Sequence, residues 1–138
     1  MTAPVVSDIG DSAWTDQVLE LRARFVSGRI GTNFTRLYVR YLDAENHYYL
    51  SIDLETAYFA RVLDGVSTTL GAGFEFPFVN GSGMLRPIKI EAIGGTLNAY
   101  ADGVLYGSAT DTAIPAGRIA LGVSGRKVFF DDVRVTRP

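Results

Sequence analysis

The chain of 138 residues has no cysteine, which removes disulfides, thiolate nucleophiles and cysteine-based zinc sites together and leaves the redox compartment unreadable. Runs of lysine and arginine are also missing. With 13 basic residues against 15 acidic and a formal net charge of -2, no stretch can release several counterions from a phosphate backbone, so nucleic acid is excluded as an expected partner. No apolar run approaches the roughly 18 to 20 residues of a bilayer span. The opening residues, MTAPVVSDIGDSAW, lack a basic n-region and an apolar h-region. Helical periodicity is absent too, since no segment of ten or more residues keeps apolar side chains at i, i+3 and i+4. What remains is 47% hydrophobic and 20% charged, enough apolar area to fold, in a length that suits one domain.

The most informative stretch is Phe34 to Leu54, FTRLYVRYLDAENHYYLSIDL. It reads as two strands joined by the polar turn Asp43-Ala44-Glu45-Asn46. Side chains on a strand alternate between faces. Leu37, Val39 and Tyr41 therefore make an apolar face on the first arm, opposite Arg36, Tyr38 and Arg40. On the second arm Tyr48, Leu50, Ile52 and Leu54 are the apolar set, opposite Tyr49, Ser51 and Asp53. If the arms share a sheet, two arginines, two tyrosines and a carboxylate line one patch, which is the expected recognition surface.

Elsewhere the alternation repeats in short units. Gln17 to Val26 carries Leu19, Leu21, Ala23 and Phe25 on one face, and further strands are expected over 58–63, 88–93, 96–101, 104–106, 118–123 and 127–135. Asp64-Gly65 and Asp102-Gly103 are strong hairpin signals, and Gly94-Gly95 tolerates the positive φ of a two-residue turn. Between Val66 and Pro87 the glycine- and proline-bearing run TTLGAGFEFPFVNGSGMLRP suggests a short strand near 68–70 and then a long loop. The whole is an all-β domain of about ten to twelve strands in an antiparallel sandwich or barrel.

Three pieces in this order resemble a known family. They are Trp14 with its following strand, the core Arg40-Tyr41-x-Asp43-x-x-Asn46-x-Tyr48-Tyr49-Leu50, and the hairpin Ile90-x-x-x-Gly94-x-x-Leu97-x-x-Tyr100-x-Asp102-Gly103. With the closing Pro115-x-Gly117-Arg118-Ile119-x-Leu121 and Phe130 to Val135, they resemble LamG-like jelly rolls of the concanavalin A-like lectin/glucanase superfamily, including 3-keto-disaccharide-hydrolase-like domains. The resemblance covers Trp14 to Val135, in an expected single domain over 1–138. It implies two stacked antiparallel sheets with an oligo- or polysaccharide on the concave one. It also implies an extracellular setting, with a larger glycan-active protein possible in cis.

Tyr38, Arg40, Tyr49 and Asp53 are the first candidates for sugar binding, with Arg36, Arg61 and Tyr100 behind them. Aromatic rings offer flat surface to the C–H faces of a pyranose, while Arg and Asp give directional hydrogen bonds to hydroxyls or a uronate. The bland alternative is a cross-strand ion pair under a tyrosine cover. No cofactor is required. A structural calcium is possible at Asp131 and Asp132, with Asp8 and Asp11 nearby if the termini meet.

Catalysis finds less support. The family-16 glucanase pattern E-x-D-x-(x)-E meets Ser51-Ile52-Asp53-Leu54-Glu55, with serine in the nucleophile's place, whereas retaining hydrolysis needs two carboxyls about 5 to 5.5 Å apart. The alginate-lyase pattern has no match either. His47 is the one side chain with an ordinary pKa near neutrality, and in its turn a solvated or capping role is the commoner one. A glycoside hydrolase or lyase is one rival reading, and a self-associating interaction domain, favoured if Phe74, Phe76 and Phe78 prove exposed, is the other.

Overall fold

The computed structural model describes residues 5–28, 34–53, 56–76, 85–124 and 126–138; for 5–9, 25–28, 34, 53 and 123–129 the description is of the backbone. Eleven strands follow one another with no helix among the described residues: β1 (Val5–Ile9), β2 (Gln17–Gly28), β3 (Phe34–Asp43), β4 (Asn46–Asp53), β5 (Thr56–Leu63), β6 (Val66–Glu75), β7 (Arg86–Ile93), β8 (Thr96–Ala101), β9 (Val104–Thr110), β10 (Arg118–Ser124) and β11 (Arg126–Thr136). They form a six-stranded sheet, β1-β10-β3-β4-β5-β6, and a five-stranded sheet, β11-β2-β7-β8-β9. Every neighbouring pair is antiparallel. Chain neighbours such as β1 and β2 lie in different sheets.

The core is the sum of the inward alternate positions. Leu37, Val39, Tyr48, Leu50, Ile52, Ala57 and Phe59 from the six-stranded sheet meet Leu19, Leu21, Ile88, Ile90, Leu97 and Ala99 from the other. The hairpin turns obey their sequence chemistry. Asp64 and Gly65 have φ of 50° and 80°, and Asp102 and Gly103 have 51° and 78°, the paired positive values that a tight two-residue turn requires.

Two expectations need correction. The short strand near 68–70 is instead the ten-residue β6, because a register shift opposite Ala57 to Phe59 absorbs extra length around Gly71, whose φ is 72°. The strand thus runs on past Leu70 to Glu75 and carries Phe74. Its ring packs where any Cβ at Gly107 would collide with it, and it leans on Phe59 and Phe76. Phe76 is fully buried and Phe74 half-buried, so these two plug the core rather than present a contact surface. Phe78 lies outside the described residues.

The second correction concerns β3. Its pairing with β4 runs from Thr35 to Val39 and resumes only at Asp43, its pairing with β10 shifts between Arg118 and Ala120, and Arg40 sits at φ 49°. A bulge of this kind inserts a residue and reverses the alternation beyond it. Leu37 and Val39 point into the core as expected. Arg40, however, turns inward and Tyr41 turns outward, the opposite of the simple alternation.

Candidate functional site

The outer face of the six-stranded sheet carries a continuous aromatic layer built by β3, β4 and β5. Tyr38 pairs with Tyr49 across β3 and β4, and Ser51 pairs with Tyr58 across β4 and β5. The Tyr38 ring meets Tyr41 at 5.6 Å, His47 at 5.0 Å and Tyr49 at 6.1 Å between centroids. Tyr49 in turn meets Tyr58 at 6.2 Å, and Tyr41 stacks on His47 at 5.0 Å. Edge and tilted contacts of this kind each contribute about 0.5–1.5 kcal/mol beyond area burial. The layer is therefore stiff.

Arg36 lies on this surface, its guanidinium 4.2 Å from the Tyr49 ring centre. Tyr38 and Tyr49 are only 2% and 3% exposed, so the face presents the half-buried Arg36, Tyr41 and Tyr58 to solvent, with the two buried rings as their support. Burial raises the Tyr38 and Tyr49 phenols above their ordinary pKa, Arg36 opposing it in both cases. Both rings are neutral hydrogen-bonding groups near pH 7. His47 is not in the turn but on β4, facing outward into the aromatic layer and only 5% exposed, with its Nδ1 3.0 Å from the Asp43 carbonyl. Burial pushes its pKa down, with Arg36 adding to the effect and the Asp43 carbonyl opposing it.

Of the expected site residues, Arg36, Tyr38 and Tyr49 share this face. Arg40 is 2% exposed and belongs to the end of the sandwich. Its Nε donates to the Thr15 carbonyl at 3.0 Å, its terminal nitrogens reach the carbonyls of Ile114 (3.4 Å) and Ala92 (3.5 Å), and Asp16 lies 3.6 Å away. Its backbone N–H donates to Gln17 Oε1 at 3.0 Å, while Gln17 Nε2 donates to the carbonyls of Trp14 and Gly117. Desolvation lowers the Arg40 pKa, with Tyr48 and Asp16 opposing the shift. Arg40 is thus a clamp on four chain segments, and the reason is the bulge.

Arg61 also faces away from the tyrosines. Its Nη1 donates to Asp111 Oδ2 at 2.6 Å, and Asp111 Oδ1 accepts from the Tyr48 hydroxyl at 2.6 Å, which itself accepts from the Ile114 N–H at 3.1 Å. Burial alone would raise Asp111, but Tyr48, the Ala113 N–H and Arg61 more than reverse it and its pKa is lowered. Burial and the Asp111 contact push Tyr48 up to about 12. Tyr100 lies on the outer face of the five-stranded sheet, on the opposite side of the molecule. The Asp53 side chain lies outside the described residues.

Asp131 and Asp132 are exposed, and Asp131 Oδ1 accepts from the Asp132 N–H at 2.9 Å. Asp11 instead caps its own turn by accepting from the Ala13 N–H at 2.8 Å, and the Asp8 side chain lies outside the described residues. Among the described residues no three histidine, aspartate or glutamate side chains gather as a metal site.

Sequence reasoning missed Tyr41, His47 and Tyr58. The last two were readable, since His47 alternates with Tyr49 and Ser51, and Tyr58 with Ala60 and Val62. Tyr41 was not, because the bulge that turns it outward leaves no composition signal.

No family model and no curated protein matches this chain. Among solved structures, the carbohydrate-binding module CBM66 from Bacillus subtilis superimposes with a TM-score of 0.74 at 22% identity, over 96% of this chain and 91% of that one. The galectin LEC-6 of Caenorhabditis elegans gives 0.71 at 11% identity over 99% and 92%. The β-glucanase of Bacillus licheniformis gives 0.65 at 14% over 96% and 69%. The fold is the concanavalin A-like jelly-roll sandwich. Within this jelly roll the tyrosine layer occupies the six-stranded sheet, and the Arg40 clamp closes one end of the sandwich. Among the described residues no helix is long and apolar enough to cross a membrane.

Proposed function

We propose that this jelly roll is a non-catalytic carbohydrate-binding module that takes its glycan on the outer face of the six-stranded sheet, against Arg36, Tyr41 and Tyr58. The observation that carries the reading is the aromatic layer itself. Packed rings hold a preformed surface with few rotamers to freeze on binding. A half-buried guanidinium at its centre supplies directional donors to sugar hydroxyls or a carboxylate. The likeness to CBM66 and to a galectin supports the ligand class. Such a module suits attachment to a larger secreted glycan-active protein.

The test is a panel of soluble and insoluble glycans offered to the wild-type protein and to an Arg36→Ala, Tyr58→Ala double variant. Binding by the wild type that the variant loses by tenfold or more, with melting temperature held within a few degrees, supports the site. A glycan that binds both proteins equally moves the site off this face. A panel with no binder, or with released product, overturns the module reading.

A further inference from the structure

The opposite face of the sandwich is built of different chemistry. Strand register brings Arg134 beside Glu20, Glu20 beside Lys89 and Lys89 beside Tyr100, a row that crosses β11, β2, β7 and β8. Arg22 and Asp132 flank this row, and together these side chains line a groove of about 330 Å³. That is the lower end of the range for small-molecule pockets, about 300–1,000 Å³, and it suits one or two sugar rings rather than a long chain.

Three features shape the groove. A shift in the β11–β2 register between Asp131 and Arg134, with Asp132 at φ 51°, widens one wall. Gly103, with no side chain, lowers the other. The Lys89 ammonium is held 4.3 Å from the Tyr100 ring centre and 3.9 Å from Glu91 Oε2, which fixes a cation beside an aromatic surface. Glu91 is itself tied to Asn98, and Asn98 to Ser108, so the row has a polar rim on β8 and β9.

Three cations, Arg22, Lys89 and Arg134, share the groove with two carboxylates, Glu20 and Asp132, and a third carboxylate, Glu91, is the partner of Lys89. Among the described residues the ion pairs are Arg40–Asp16, Arg61–Asp111, Arg86–Asp102 and Lys89–Glu91, and neither Arg22 nor Arg134 belongs to one. Arg22 and Arg134 therefore keep their forked donors for something brought to the groove. A planar carboxylate is the group that such forks match.

We infer that the groove on the five-stranded sheet is a second ligand site, specific for a carboxylate-bearing sugar, in which Arg134 and Lys89 hold the carboxylate and Tyr100 packs against the ring. It uses none of the residues of the tyrosine face and does not depend on that face binding anything. The module is then two-sided and can bridge two glycan chains.

The test is a titration of the ¹⁵N-labelled protein with an unsaturation-free disaccharide containing glucuronate, beside a neutral disaccharide of the same size and acetate alone. The expected result is shifts at Glu20, Arg22, Lys89 and Tyr100 with the acidic disaccharide, weakening severalfold between low salt and about 0.15 M salt. An Arg134→Ala, Lys89→Ala double variant loses at least tenfold in affinity. Arg36→Ala and Tyr100→Phe retain wild-type affinity, and Tyr100→Ala weakens it. Equal shifts from acetate, equal binding of the neutral disaccharide, or undiminished binding by the double variant overturns the inference. Because the salt dependence is read on the wild type, a double variant that fails to fold still leaves the proposal exposed to refutation.

Discussion

Arg36 and Arg40 stand four residues apart on one strand, flanking Tyr38, and end in two regions with opposite duties. Arg36 lies on the tyrosine face, half-buried over a ring; Arg40 is buried in the clamp at the end of the sandwich, bonded to backbone carbonyls from three other segments. Tyr49 and Tyr48 divide in the same way, one in the aromatic layer and the other anchoring Asp111 and Ile114. Residue type alone therefore does not set the role. The deciding variable is which face of the sheet a side chain falls on, set by plain alternation for Tyr48 and Tyr49 and by the bulge for Arg40, and with it whether its polar groups are spent on the fold.

Substitutions can break that contrast, and the largest effect is expected where the clamp has no room. Gly117 packs so tightly on the Arg40 and Tyr41 backbone that any added Cβ collides with it. Gly117→Ala is therefore expected to cost more than about 4 kcal/mol, read as loss of folded protein in urea or heat. Arg40→Ala removes a buried cation and strands the carbonyls of Thr15, Ile114 and Ala92, at about 3 kcal/mol or a fall in Tm of roughly 10 °C. If it melts like wild type, the clamp is not structural and the contrast fails.

Asp111 sharpens the comparison through pH. Its folded pKa is depressed, so its contribution is fully present above the unfolded carboxylate value of about 3.9 and fades as pH falls through the lower folded value. Asp111→Asn is expected to lose about 1–3 kcal/mol at pH 7 and to show a flatter decline in Tm below pH 4 than wild type. A parallel decline in both proteins contradicts this.

The tyrosine face should respond less. Arg36→Ala forfeits one cation–ring contact, about 0.5–1 kcal/mol, while glycan affinity drops tenfold or more. Smallest is His47, whose imidazole is held neutral by burial. Its depressed pKa makes the fold lose stability as pH drops below the unfolded histidine value of about 6.5, and His47→Gln should remove that portion of the pH dependence in equilibrium unfolding.

Much of the fold was legible because alternation and turn chemistry are local. Leu19, Leu37, Leu50 and Ile90 announce their faces, and two Asp-Gly pairs announce their turns. What the pattern hid is set by non-local geometry. The bulge at Arg40 answers to Gly117 and Gln17, which lie 77 residues after it and 23 before it. The separation of Tyr100 from Tyr38 depends on which sheet each strand joins, and strand periodicity alone does not assign sheets. The candidate face was legible in Arg36, Tyr38 and Tyr49, but its other members, Tyr41, His47 and Tyr58, were not named with them.

The most direct measurement is a chemical-shift map of the ¹⁵N-labelled wild type titrated with a glycan that the panel shows to bind tightly. The expected map has its largest shifts at Arg36, Tyr41, His47 and Tyr58, with Arg40 and Arg61 unmoved. Shifts centred on the Arg40 clamp, or spread without preference over both sheets, would contradict glycan recognition by the tyrosine face.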